Sequence, residues 1–223
     1  MSFDKMRGDG DVSYWLNIFK KAIAEHNGLY ADRSGALPIH KMGLDKLLPG
    51  QRKIALDAIA QIIDNLQKEP EEQELKGILA AVNELTKNYE STPILHKLCY
   101  EKLFKLGDSA RPYMLRILIY AGYKLTPEDL EDKRVKSVKD KKPIDWYDAA
   151  VLAGYFDMVC KEIQNDLSSG KQLYPPLDGW QKMWPDSSDF LSLAQRWAEM
   201  ATDEDTTDYI KLWLELNNNN TAD

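Results

Sequence analysis

The side chains of this sequence that could hold a metal ion or act as a nucleophile are few and widely spaced. The histidines are His26, His40 and His96, and the cysteines are Cys99 and Cys160. Zinc sites use such residues at short spacings, as in Cys-x-x-Cys or His-Glu-x-x-His, and the sequence contains neither motif. The pattern therefore predicts no metal centre and two reduced, buried thiols.

One histidine and one cysteine are close enough in sequence to share a helix face. His96 and Cys99 lie three positions apart, but Cys99 belongs to an apolar stripe, where a thiol is normally inert. The glycine-rich loops that bind phosphate are absent, and so is the Gly-x-Ser-x-Gly motif of serine hydrolases. We therefore predict no catalytic residue and no cofactor, and we expect the protein not to be an enzyme.

Two pairs of glutamates are spaced so that their carboxylates share a helix face. These pairs are Glu71 with Glu74 and Glu128 with Glu131. Helical nucleotide pyrophosphatases bind magnesium with such pairs, so a magnesium-dependent nucleotide hydrolase is one alternative. Each pair also lies next to a predicted first turn, where acidic side chains stabilise the helix dipole, and this is our preferred interpretation.

Helical periodicity dominates the chain that must position these groups. Apolar residues recur at i, i+3, i+4 and i+7, as in the stripe from Trp15 to Ile23, and no segment has the alternation of a strand. Clear start signals include Thr126-Pro127, which places a capping hydroxyl before a proline. We predict an all-α fold of nine or ten helices packed as successive antiparallel pairs. A single domain is predicted over residues 1–216, with a disordered polar tail at 217–223.

A short segment near the middle of the second half resembles part of a known repeat. The sequence Ala150-Val151-Leu152-Ala153-Gly154-Tyr155-Phe156-Asp157-Met158-Val159 is similar to the middle of an ankyrin repeat. The resemblance covers fewer than twenty residues, and no second copy follows at the period of such an array. It implies a hairpin of two helices joined by a tight glycine turn.

Residues 168–186 interrupt the helical pattern. Serines, glycines and prolines are frequent there, yet Tyr174, Trp180 and Trp184 lie in the same stretch. Because large aromatic side chains are usually buried, we predict an ordered loop packed against the helices.

Charge is distributed unevenly along a chain whose net charge is −7. Between Lys133 and Lys142 six basic residues face one acid, which we interpret as a solvated link. From Pro185 to the end nine acids face two basic residues, so this part alone carries the whole excess of negative charge. The low isoelectric point, near 5.1, argues against nucleic acid as a partner.

These features together favour binding of another protein. We predict an immunity or antitoxin-like inhibitor, of bacterial or phage origin, that occludes a basic partner such as a toxin nuclease. The alternatives are a helical adaptor or scaffold and, third, the magnesium-dependent hydrolase. With no apolar signal region and no run of about 20 apolar residues, we expect a cytoplasmic protein without a membrane contact. The predicted partner-binding residues are Glu199, Asp203, Glu204, Asp205, Asp208, Trp180 and Trp184.

Overall fold

The computed structural model describes residues 11–24, 39, 42–86 and 91–219. Within this part of the chain twelve α-helices form and no β-strand does, which confirms the all-α prediction. The two helices beyond the predicted ten are α7 (Lys133–Lys141) and α10 (Leu177–Gln181), in segments expected to be a link and a loop. None of the described helices is long and apolar enough to cross a bilayer.

The chain divides into two compact units, residues 1–123 and 124–223. The single domain over 1–216 stays a prediction. The first unit contains α1 (Val12–Ala24), α2 (Pro49–Asp64), α3 (Glu72–Leu85), α4 (Pro93–Lys105) and α5 (Arg111–Tyr120), with a 3₁₀ turn at Leu44–Lys46. Helix α1 packs on α2 and α3, and α4 packs on α5.

Side chains satisfy two of the helix ends of the first unit. Asp11 caps α1, because its Oδ1 accepts a hydrogen bond of 2.9 Å from the Tyr14 backbone. At the end of α4, the buried Arg111 guanidinium donates to the carbonyls of Leu103 and Leu106, each at 3.0 Å, and so satisfies them.

The second unit has an aromatic core. Its helices are α6 (Pro127–Glu131), α7, α8 (Pro143–Ala153), α9 (Phe156–Ser168), α10, α11 (Ser187–Met200) and α12 (Glu204–Asn219). Consecutive helices α7, α8 and α9 pack together, and α11 packs on both α9 and α12. The largest fully buried side chains here are Trp146, Tyr147, Trp180, Phe190 and Trp197.

The predicted helical hairpin at α8 and α9 forms around a glycine turn. Gly154 has a φ of 88°, in the left-handed region that favours glycine. The backbone N–H of Gly154 donates to Val151 and that of Tyr155 donates to Ala150, each at 3.0 Å. These two bonds form a Schellman motif, which ends α8 and reverses the chain into α9.

The two ends of α12 determine where the C-terminal acids and the predicted tail lie. Helix α12 begins at Glu204, with Asp203 accepting a hydrogen bond of 3.0 Å from the Thr206 backbone. It continues to Asn219, so the predicted disordered tail is wrong for residues 217–219. Asn217 is held by Gln181 at 3.2 Å and by the Trp213 carbonyl at 2.9 Å. Residues 220–223 lie outside the described residues.

Candidate functional site

The predicted acidic residues come together where α11 is joined to α12. Glu199 lies in the last turn of α11, Asp203 precedes α12, and Glu204, Asp205 and Asp208 lie in its first turns. All are exposed to solvent except Asp203, which is half-buried. We call these five residues the acidic surface.

Asp203 has a structural role as well as a charge. Its side chain caps α12, and hydrogen bonds from Thr206, together with the backbone N–H groups there, hold the pKa of Asp203 below its ordinary value. Glu204 and Asp205 follow in the first turn, where the positive end of the helix dipole favours negative charge. The hydrogen bond from Thr206 thus holds the Asp203 carboxylate in position at the start of α12.

The exposed acids of this surface are not ion-paired within the described part of the chain. Among the residues that the structure describes, Glu199, Glu204, Asp205 and Asp208 form no ion pair with a lysine or arginine. Their charge therefore faces solvent, where its field extends over about 8 Å at physiological salt.

The basic run between 133 and 142 differs from this. It was expected to be a solvated link, but it forms α7 because Val135 and Val138 are buried on one side. Arg134 binds Asp132 at 2.8 Å and Lys136 binds Glu131 at 2.5 Å. With Lys139, which binds Glu162, three of the six basic residues of this run are paired within the second unit.

Lys139 enters a buried polar network that the sequence did not suggest. Its ammonium lies 3.3 Å from Asp166 and also binds Glu162. The same Asp166 accepts a bond of 2.6 Å from the Tyr147 hydroxyl and one of 2.9 Å from Lys171. Burial by itself would raise the pKa of Asp166, but these hydrogen bonds and the lysine charges outweigh burial and lower it.

Trp180 and Trp184 do not belong to the exposed surface. Trp180 is 1% exposed, and its Nε1 donates a bond of 2.6 Å to Asp148. Trp184 is 8% exposed and contacts the rings of Phe156 and Phe190 at centroid distances of 4.5 and 5.1 Å. Both were predicted to contact a partner, but they pack in the core because the segment between α9 and α11 folds against the helices.

The glutamate pairs remain surface features of helix starts. Glu74 lies near Glu71, and burial together with the Glu71 charge raises the pKa of Glu74. In the other pair, Glu131 is the ion-pair partner of Lys136. No group of three or more His, Cys, Asp or Glu side chains that could hold a metal ion occurs among the described residues.

Among the described residues, no histidine is hydrogen-bonded to a cysteine as nucleophilic catalysis would require. The Nε2 atom of His96 lies 2.8 Å from the Ala121 carbonyl oxygen. Cys99 is fully buried, which raises its pKa to about 12. Cys160 is half-buried beside a groove of about 240 Å³ between α9 and α11, and burial raises its pKa as well. His26 and His40 lie outside the described residues.

No family model matches the chain, and neither a curated protein nor a solved structure matches it.

Proposed function

We propose that this protein binds and inhibits a basic protein in the cytoplasm, in the manner of an immunity protein or antitoxin. The acidic surface is the docking surface, and a toxin nuclease is the kind of partner it fits. The observation that carries the proposal is the difference between the two charged segments. Three of the six basic residues between 133 and 142 are paired with acids of the second unit, whereas the exposed acids of the acidic surface form no ion pair among the described residues.

Electrostatics favours such a partner in two ways. A concentrated negative field speeds the encounter with a cationic surface and orients the two proteins before contact. It also repels acidic proteins and nucleic acid, so it contributes to specificity.

Occlusion provides a simple route to inhibition. A nuclease holds the phosphate backbone with lysine and arginine side chains. Carboxylates that occupy this cationic surface would compete with nucleic acid for the same groups. The inhibitor then needs no catalytic residue of its own.

An inhibition assay separates this function from that of an adaptor. An inhibitor of this kind should be encoded beside its toxin, so the product of the neighbouring gene is the protein to test. We expect a stoichiometric complex in which the nuclease activity of that product is lost. A complex that retains full activity would favour an adaptor, and the absence of any complex would contradict the proposal.

Two variants make the assay specific for charge at this surface. The acid-neutralised variant is E199Q/E204Q/D205N/D208N, which leaves Asp203 in place because Asp203 caps α12. A charge-matched control, D45N/D64N/E128Q/D140N, removes the same charge from exposed acids elsewhere. We expect only the acid-neutralised variant to inhibit less strongly at a given concentration.

A further inference from the structure

Helix α12 presents two large apolar side chains to solvent. Leu212 is 58% exposed and Leu216 is 60% exposed. The buried side of the helix is formed instead by Ile210, Trp213 and Leu214. Leu212 and Leu216 lie four residues apart, so they are neighbours on one helix face.

Acidic side chains border this apolar pair. At 3.6 residues per turn, Asp205 lies in line with the two leucines, and Asp208 and Glu215 lie along one side of them. All three acids are exposed. We call the surface formed by these three acids and two leucines the outer face of α12.

Two tyrosines, the exposed Tyr174 and the half-buried Tyr209, extend the outer face on the side opposite Asp208 and Glu215. The rings of Tyr174 and Tyr209 stack with their centroids 4.6 Å apart and an angle of 22° between them. Tyr174 is 57% exposed. The apolar area thus continues from α12 onto the segment before α10.

The helix that carries this face is anchored from behind. Trp213 donates a bond of 2.8 Å from its Nε1 to Asp178, and its ring contacts Phe190. Asn217 is bonded to Gln181. The leucines therefore stand on a fixed helix, and a partner would not need to order it on binding.

We propose that the outer face of α12 binds a partner helix that carries both basic and apolar side chains. Leucines at i and i+4 fit the apolar ridge of such a helix, and the bordering carboxylates fit lysines or arginines beside that ridge. A second copy of this chain is a poorer fit, because it would bring like charges together. This inference rests on the proposed function and names the chemistry of its partner.

A synthetic peptide provides the probe. It is an amphipathic helix with leucines at i and i+4 flanked by lysines, and its binding is followed by fluorescence anisotropy. A second peptide has glutamate in place of every lysine. We expect the lysine peptide to bind and the glutamate peptide not to bind. Equal binding of both peptides would contradict the role of the acids.

The leucines are tested by substitution with a matched control. In the variant L212S/L216S both side chains become polar at exposed positions, so the fold is retained, which circular dichroism checks. The control L48S changes a leucine that is 67% exposed in the first unit. We expect the Kd for the lysine peptide to rise about tenfold or more in L212S/L216S, as for interface hot spots, and to stay unchanged in L48S.

The outcomes separate this inference from the proposed function. If L212S/L216S binds the lysine peptide as tightly as the unmodified protein does, the outer face is not the docking surface and the inference is overturned. If these substitutions weaken binding of the lysine peptide while the product of the neighbouring gene forms no complex with the protein, the proposed function fails and the docking surface stands. A concentration-dependent dimer that dissociates in L212S/L216S would assign the face to a second copy and overturn the partner helix.

Discussion

The hydroxyl of Tyr147 donates a hydrogen bond of 2.6 Å to Oδ2 of Asp166, inside the second unit. The carboxylate also binds Lys171 and lies 3.3 Å from Lys139, whose side chain is 11% exposed. Residues from α7, α8 and α9 meet in this network, so it joins three consecutive helices. A buried carboxylate is stable here because its charge is balanced and its oxygens accept several bonds.

Replacing this carboxylate should destabilise the protein. Asp166→Asn keeps the size of the side chain but removes the charge that faces two lysines. We expect the free energy of unfolding to fall by about 1–3 kcal/mol, the range for leaving a buried polar group poorly satisfied. Urea denaturation measures it, and Asp140→Asn, an exposed acid on α7, is the control. A loss no larger than that of the control would show that the network contributes little.

The same carboxylate predicts a pH dependence of stability. The pKa of Asp166 is lower in the folded protein than in the unfolded chain, where it is about 3.9. Its stabilising contribution is therefore complete at neutral pH and is lost as the pH falls through the folded value. We expect the difference in unfolding free energy between the unmodified protein and Asp166→Asn to shrink below about pH 4. A difference that stays constant in acid would contradict this assignment.

Trp184 should be important for stability although it lies outside every helix. Its ring is 8% exposed and packs between Phe156 and Phe190. We expect Trp184→Ala to lower the free energy of unfolding by about 3–5 kcal/mol, as for other large-to-small core substitutions. Tyr174→Ala, at an aromatic residue 57% exposed in the same segment, serves for comparison and should have a much smaller effect on the melting temperature. Similar melting temperatures for both variants would argue against a packed segment.

The two cysteines should differ in reactivity. Cys99 is fully buried with a pKa of about 12, whereas Cys160 is half-buried beside a groove. Because the thiolate is the reactive form, a thiol reagent should modify Cys160 slowly in the native protein and Cys99 only after unfolding. Mass spectrometry of the modified peptides distinguishes the two sites. Rapid modification of native Cys99 would show that the first unit opens readily.

The local signals in the sequence were sufficient for most helices and for some of their ends. Apolar periodicity predicted the all-α fold, and Thr126 caps its helix as expected, within a capping box that also includes Asp129. The Gly154 turn was also predictable, because a glycine after small residues is a local signal for a helix end. These features depend only on neighbouring residues in the chain.

The interpretations that failed depend on contacts between distant residues. The many charges of the basic run favoured a solvated link, although Val135 and Val138 are buried on one side of α7. The acidic partner of Lys139 lies on α9, too far along the sequence to be recognised from it. Apolar residues are so frequent in α12 that the sequence allowed either of two helix faces to be the buried one. Contacts of Trp213 with Asp178 and Phe190 show which face is buried, and they leave Leu212 exposed. Periodicity alone contains neither kind of information.

The location of the acidic surface was predictable, and its composition only in part. The acids cluster because they are close in sequence, so their position at the start of the last helix follows from the helix boundary. The capping role of Asp203 is visible only in the structure, where its carboxylate accepts a hydrogen bond from the Thr206 backbone. That Trp180 and Trp184 are core residues required the fold of the segment before α11.

The association rate with the basic partner, measured by stopped flow at low and high ionic strength, tests the central claim most directly. The acid-neutralised variant should associate more slowly than the unmodified protein and with a weaker dependence on salt, while its melting temperature stays unchanged. The charge-matched control should lose less of the association rate, because it leaves every acid of the acidic surface in place. If the acid-neutralised variant associates at the unmodified rate with the same salt dependence, the acidic surface does not recruit the partner.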